Sequence, residues 1–117
     1  MIGLSANLKY YLCCKPIDMR NGFDGLAGIA RNVLQKDPVS GSVFIFINRT
    51  GTHIKLLYWD GDGFALFYKR LERGRYSLGD QNSKATPSRL ITREELMMIM
   101  EGLSFKDLKR KKRFKFE

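Results

Sequence analysis

Residues 53–76 read HIKLLYWDGDGFALFYKRLERGRY, and this stretch holds most of the side chains whose chemistry could be put to use. Lys69, Arg70, Arg73 and Arg75 fall within seven residues, offset by Glu72 alone, for a net +3. Cations interleaved with aromatics, here Tyr68 and Tyr76, on a stiff support suit a polyanion, nucleic acid above all. The same charges have a second use, since charged side chains at a strand edge deter sheet-to-sheet aggregation. Both readings stay open on the sequence. Trp59 and Tyr58 offer rings that could stack on bases, although packing against neighbouring elements is the simpler use of them.

Asp60 and Asp62 are the tempting carboxylates, one residue apart in an Asp-Gly-Asp-Gly run. A nuclease or transposase centre holds Mg²⁺ between several carboxylates, and only folding could bring Asp18 or Glu72 to complete such a set. Aspartate also simply suits a tight turn, where it bonds nearby amides. His53 is the single histidine, with no Ser or Cys beside it to form a nucleophile–base pair, and is expected at the solvent-facing start of a strand. Gly22, Gly25 and Gly28 lack the strand-loop-helix setting of a phosphate-binding fingerprint; their spacing points instead to a helix backbone approaching a sheet or a partner closely. Cys13 and Cys14 are adjacent, so in a strand they point to opposite faces and cannot readily bond each other. Nothing here is read as catalytic, and nothing calls for a metal or a cofactor.

The charge balance reinforces the first reading. Against 12 Asp and Glu stand 21 Lys and Arg, a net +9. Residues 106–117 hold seven cations and two anions, a net +5 that leaves +4 for residues 1–105. A single domain over residues 1–105 is therefore followed by a basic tail, residues 106–117, expected to be disordered unless bound. Lys109, Arg110, Lys111, Lys112 and Arg113 of that tail join the candidate nucleic-acid contacts, and Phe114 and Phe116 lie among them. A domain of this length buries roughly 65% of the surface of its unfolded chain, enough for its own core. No run reaches the roughly 18 apolar residues of a membrane helix. The first residues lack the basic and apolar regions of a secretory signal, so a cytoplasmic protein is expected.

The elements that must position these groups follow from periodicity. Residues 8–14 (LKYYLCC) suit a strand, ended by Lys15-Pro16. Asp18 is expected to cap a helix over residues 19–36, with Phe23, Leu26, Ala27, Ala30, Val33 and Leu34 on one stripe, closed by Asp37-Pro38. Residues 42–47 (SVFIFI) form a strand, and a glycine-bearing loop leads to a second at 53–59. The Asp-Gly-Asp-Gly turn, with positive φ expected at Gly61 and Gly63, returns a third at 64–70. These three make an antiparallel meander that is apolar on both faces, so the C-terminal helix, a partner subunit or both must cover the second face. Residues 79–88 read as a loop, and 88–91 as a short strand or a lead-in. Thr92-Arg93-Glu94-Glu95 is a capping box opening a helix to about Glu101, ended by Gly102, with Leu96, Ile99, Met100 and Leu103 on its apolar stripe. The class is α+β: a small antiparallel sheet, the meander plus an N-terminal strand, packed with two helices.

Across residues 18–76 the sequence resembles the small accessory protein of the insertion sequence 66 transposon family, the product of the element's second reading frame, called TnpB. The words that carry the resemblance are Asp18-Met19-Arg20, Gly22-Phe23-Asp24-Gly25-Leu26, Ile54-Lys55-Leu56-Leu57, Trp59-Asp60-Gly61-Asp62-Gly63 and Lys69-Arg70-Leu71-Glu72-Arg73-Gly74-Arg75. Asn21, where a cation is usual, and the long basic tail depart from the pattern. The resemblance implies an accessory of DNA transposition encoded beside a much larger transposase that carries the DNA-cutting chemistry. It supplies no catalytic residues. The implied partners are the DNA of the element ends and the large transposase, with a homo-oligomer as a further possibility and no membrane. A protein-interaction module without nucleic-acid contact is the rival function, and a metal-dependent nuclease using Asp60 and Asp62 a third.

Overall fold

The computed structural model describes residues 7–76 and 86–101. Seven elements follow in the order β1 (Tyr10–Cys13), α1 (Phe23–Asn32), β2 (Val43–Ile47), β3 (His53–Trp59), β4 (Phe64–Arg70), β5 (Ser88–Ile91) and α2 (Arg93–Met100). They build one five-stranded sheet in the order β4-β3-β2-β1-β5. The α+β class holds, with two refinements to the sheet. β1 lies parallel to β2, joined through α1, because parallel neighbours need a crossover and a helix supplies it. Residues 88–91 are a true strand, antiparallel to β1. The sheet is thus mixed rather than wholly antiparallel, while the β2-β3-β4 meander is as expected.

Each face of the sheet has its own helix, which explains why the strands are apolar on both sides. Tyr10, Leu12, Val43, Ile45, Ile47, Ile54 and Leu56 pack with Leu96 and Ile99 of α2. Cys13, Phe44, Phe46 and Leu57 pack with Leu26, Ala27 and Ala30 of α1. β2, at the centre, is buried along all five residues. The chain therefore covers both faces itself, and no partner is required for that. Tyr58 packs against the α2 side, and Trp59 meets Phe64 edge-on at 5.1 Å, so both rings serve packing. Both cysteines are free thiols, and burial pushes each thiol pKa up. Among the described residues no helix is long and apolar enough to cross a membrane.

α1 differs from expectation at both ends. It starts at Phe23 with Gly22 as N-cap and no side-chain cap. Asp18 lies earlier, in a turn of its own, accepting the Arg20 N–H at 2.8 Å. At the other end Gln35 adopts φ 55°, and Lys36 N donates to Ala30 O at 2.9 Å. A left-handed residue thus ends the helix before Asp37-Pro38 is reached. Of the expected stripe, Leu26, Ala27, Ala30 and Leu34 are buried, whereas Phe23 and Val33 are exposed. α2 begins as read, with the Thr92–Glu95 capping box complete. Gly102 and Leu103 lie outside the described residues.

Gly22 and Gly28 do not serve close packing, since a Cβ added at either meets nothing within 4 Å, whereas at Gly25 it would stand 2.5 Å from Asn21 Oδ1 and that side chain would have to shift. Gly28 in the helix interior therefore costs conformational entropy with no steric return. Gly28→Ala is expected to stabilise the protein by about 0.5–1 kcal/mol. A urea melt checks this, and an unchanged or lower midpoint contradicts it.

Candidate nucleic-acid interface

Parallel β1 and β2 end at the same edge of the sheet, where β3 begins and β4 ends: Leu12 is level with Ile45, Ile47 with Ile54, and His53 with Arg70. Three segments therefore meet there: the β1–α1 connection (residues 14–22), the β2–β3 turn (48–52) and the segment after β4 (71–76). Lys15, Arg20, Arg49, Arg73 and Arg75 lie exposed on them, with Arg70 at the end of β4. The β3–β4 reversal with Asp60 and Asp62 is at the opposite end of the same hairpin. The described part of the molecule is thus electrically polar along its strands, basic at one end and acidic at the tip of the meander.

Local chemistry fixes each segment. In the β2–β3 turn the Asn48 carboxamide oxygen accepts the N–H groups of Thr52 (2.9 Å) and His53 (3.0 Å). Gly51 is buried at φ +71°, and a Cβ there would stand 2.7 Å from the Tyr76 carbonyl oxygen. Only glycine admits that approach. Tyr76 N donates to Gly51 O at 2.6 Å and Leu71 N to Thr52 O at 2.8 Å. These bonds tie the Arg73–Arg75 segment to the turn that carries Arg49. Tyr76 itself is buried against the α2 side of the core, so it is a core aromatic and not an interface one.

The β1–α1 connection is held by a lysine that the sequence reading gave no role. Lys55 is 6% exposed. Its ammonium donates to Met19 O at 2.7 Å and Asn21 O at 2.8 Å, and lies 4.6 Å from the centre of the Tyr68 ring. A buried charge persists only when so partnered. Between this connection and the β2–β3 turn opens a cleft of about 540 Å³, lined by Ile17, Met19, Asn48, Arg49, Thr50 and His53 among others. His53 is half-buried rather than freely solvent-facing. Its Nδ1 is 2.7 Å from Thr52 Oγ1 and 3.1 Å from Asn48 Nδ2.

The cations differ in how free they are. Arg20 grips Asp18 through Nε and Nη2, the shortest contact being 2.7 Å. That bond holds the Asp18 carboxyl at about 2, well below its ordinary 3.8. Because the folded value is the lower one, the pair's contribution is complete above about pH 3.8 and is lost as the pH falls through about 2. The stability gap between wild type and Asp18→Asn should accordingly close over that acid range in urea melts; a gap independent of pH contradicts the assignment. Arg70 bonds Glu72 at 2.9 Å, and both side chains remain mostly exposed, so the pair faces outward and holds little energy. Arg49, Arg73 and Arg75 make no ion pair among the described residues. Lys69 points to the other face, towards the Met100 carbonyl at 3.4 Å. Lys109, Arg110, Lys111, Lys112 and Arg113 lie outside the described residues.

Folding does not bring Asp18 or Glu72 to the acidic turn. Asp60 N donates to Gly63 O at 2.8 Å, and Gly61, though not Gly63, takes a positive φ of 84°. Asp18 and Glu72, the acids that folding might have added, sit at the far end of the sheet. Among the described residues no group of three His, Cys, Asp or Glu is placed to hold a metal ion.

Comparison with known proteins agrees with the resemblance in the sequence. The family model described as IS66 Orf2-like protein matches residues 8–110. An uncharacterized protein of Sinorhizobium fredii, y4jC, is 32% identical over 111 residues, covering 95% of this chain and 92% of its own. Another from the same strain, y4hO, is 38% identical over 76 residues, or 65% of this chain and 66% of its own. No solved structure matches.

Proposed function

The chain belongs to the IS66 Orf2-like family, and from that premise we propose that it is a non-catalytic accessory of transposition that binds DNA through the basic end of its sheet. The observation that carries this reading is the convergence of Arg49, Arg70, Arg73 and Arg75, with Arg20 and Lys15 beside them, from three separate segments onto one end. Lys69 adds charge from the other face, and Lys109, Arg110, Lys111, Lys112 and Arg113 add five further cations in the sequence. Such groups neutralise phosphates and release condensed counterions. They position a duplex without reading its sequence. Its partners on this reading are the DNA of the element ends and the large transposase that cuts it.

Titration of an element-end duplex and an unrelated duplex against increasing salt tests the proposal. With six to ten contacts, affinity should fall about 10³–10⁵-fold between roughly 50 and 200 mM salt, similarly for both duplexes. Absence of binding, or affinity indifferent to salt, refutes it. Co-purification with the transposase after nuclease treatment tests the partner separately.

A further inference from the structure

We propose that the outer edge of β4 is a self-complementary pairing surface, through which a second copy of this chain adds antiparallel to make one continuous sheet. The proposal does not depend on DNA binding. β4 is the terminal strand of the sheet, runs seven residues without a proline, and pairs only with β3 among the described residues. Leu71 N bonds Thr52 O and Gly63 O accepts from Asp60 N. The odd-numbered residues of β4 therefore turn their amides to β3, and Phe64, Leu66, Tyr68 and Arg70 turn theirs outward. An edge of this length, its outward donors and acceptors unpaired with any strand among the described residues, is a template for another strand.

The charge pattern selects the occupant. Asp60 and Asp62 precede the apolar run Phe64–Tyr68, and Lys69 and Arg70 follow it. A parallel copy would set like charges together, whereas an antiparallel one sets opposite charges together. With the two-fold axis at Leu66, each Leu66 faces the partner's Leu66, each Phe64 the partner's Tyr68, and each Asp62 the partner's Arg70. Phe64, Leu66, Tyr68 and Arg70 share the α1 face, since residues two apart in a strand do, while Asp62 stands in the turn just before β4; aromatic and opposite-charge pairs are favourable across such an edge. Arg70 uses Nε and Nη2 for Glu72, which leaves Nη1 for the partner's carboxylate. The chain's own residues 106–117, cationic along their length, would meet Lys69 and Arg70 with like charge.

A few strand pairs bury less than the ~1,200 Å² of a standard stable interface, so the dimer should be concentration-dependent. Sedimentation of nucleic-acid-free protein over a concentration series is the test. Wild type should pass from 13.5 kDa to twice that mass as concentration rises. Asp62→Arg and Arg70→Asp should each remain monomeric, and an equimolar mixture of the two should recover the dimer, because each supplies the charge the other lacks. A wild type monomeric throughout overturns the proposal, as does a dimer indifferent to both substitutions or two variants that fail to rescue each other. A monomer whose outward β4 amides resist hydrogen exchange overturns it too, since another segment then occupies the edge.

Discussion

Replacing Arg49, Arg73 and Arg75 together by alanine is expected to lower DNA affinity on the order of a hundredfold or more near 0.1 M salt. These three arginines are exposed and make no ion pair among the described residues, so their charge is available to phosphate. Each contact removed should reduce the slope of log affinity against log salt by about 0.9, or nearly three in all. The loss should be nearly equal for element-end and unrelated duplexes, because phosphate contacts carry no sequence. Fold stability should barely change, since all three side chains are exposed. Fluorescence anisotropy at several salt concentrations, beside a urea melt, reads both. An unchanged slope with weaker binding would mean that the arginines act by shaping the surface and not by touching phosphate.

Lys55→Met should destabilise the protein by about 2–3 kcal/mol. The substitution keeps the apolar stem and deletes the ammonium, with its two carbonyl bonds and its place over the Tyr68 ring. A hydrogen bond from a charged donor contributes about 1.5–3 kcal/mol, a buried cation over a ring about 1 kcal/mol or more. Against these stands the relief of no longer burying a charge. Residues 18–22 should lose protection from hydrogen exchange first, because Lys55 fastens Met19 and Asn21 to the sheet, whereas Ile17 keeps its own bond to Ile47 O. With the connection that carries Arg20 no longer fastened by Lys55, DNA binding should weaken as well. A loss of stability under about 1 kcal/mol would show that the connection is held by other means.

Much of the fold can be read from the sequence where a pattern has one physical meaning. The VFIFI run is a buried central strand, the Asp-Gly-Asp-Gly turn returns a hairpin, and Thr92 with Glu95 opens α2. The helix ends were harder. Asp18 looks like an N-cap, yet its carboxylate is satisfied two residues on by Arg20, and Gln35 stops the helix with no glycine or proline to announce it. The arginines after β4 were legible as a cluster because they are adjacent in sequence. Arg20 and Arg49 were not, since only the parallel pairing of β1 and β2 brings their loops together. The signal was present: a strand, a helix and a strand in succession favour a parallel crossover. Lys55 hides for a different reason. In an alternating strand it looks like a solvent-side residue, and its burial depends on carbonyls more than thirty positions away.

The account rests on the basic end of the sheet being where a polyanion lies. Amide NMR of the labelled protein, titrated with a short duplex, examines that residue by residue. The account predicts shifts concentrated in residues 14–22, 48–53 and 70–76, fading as salt is added. Shifts gathered instead around Asp60–Gly63 and the β3–β4 tip, or none at duplex concentrations that saturate binding, would contradict it.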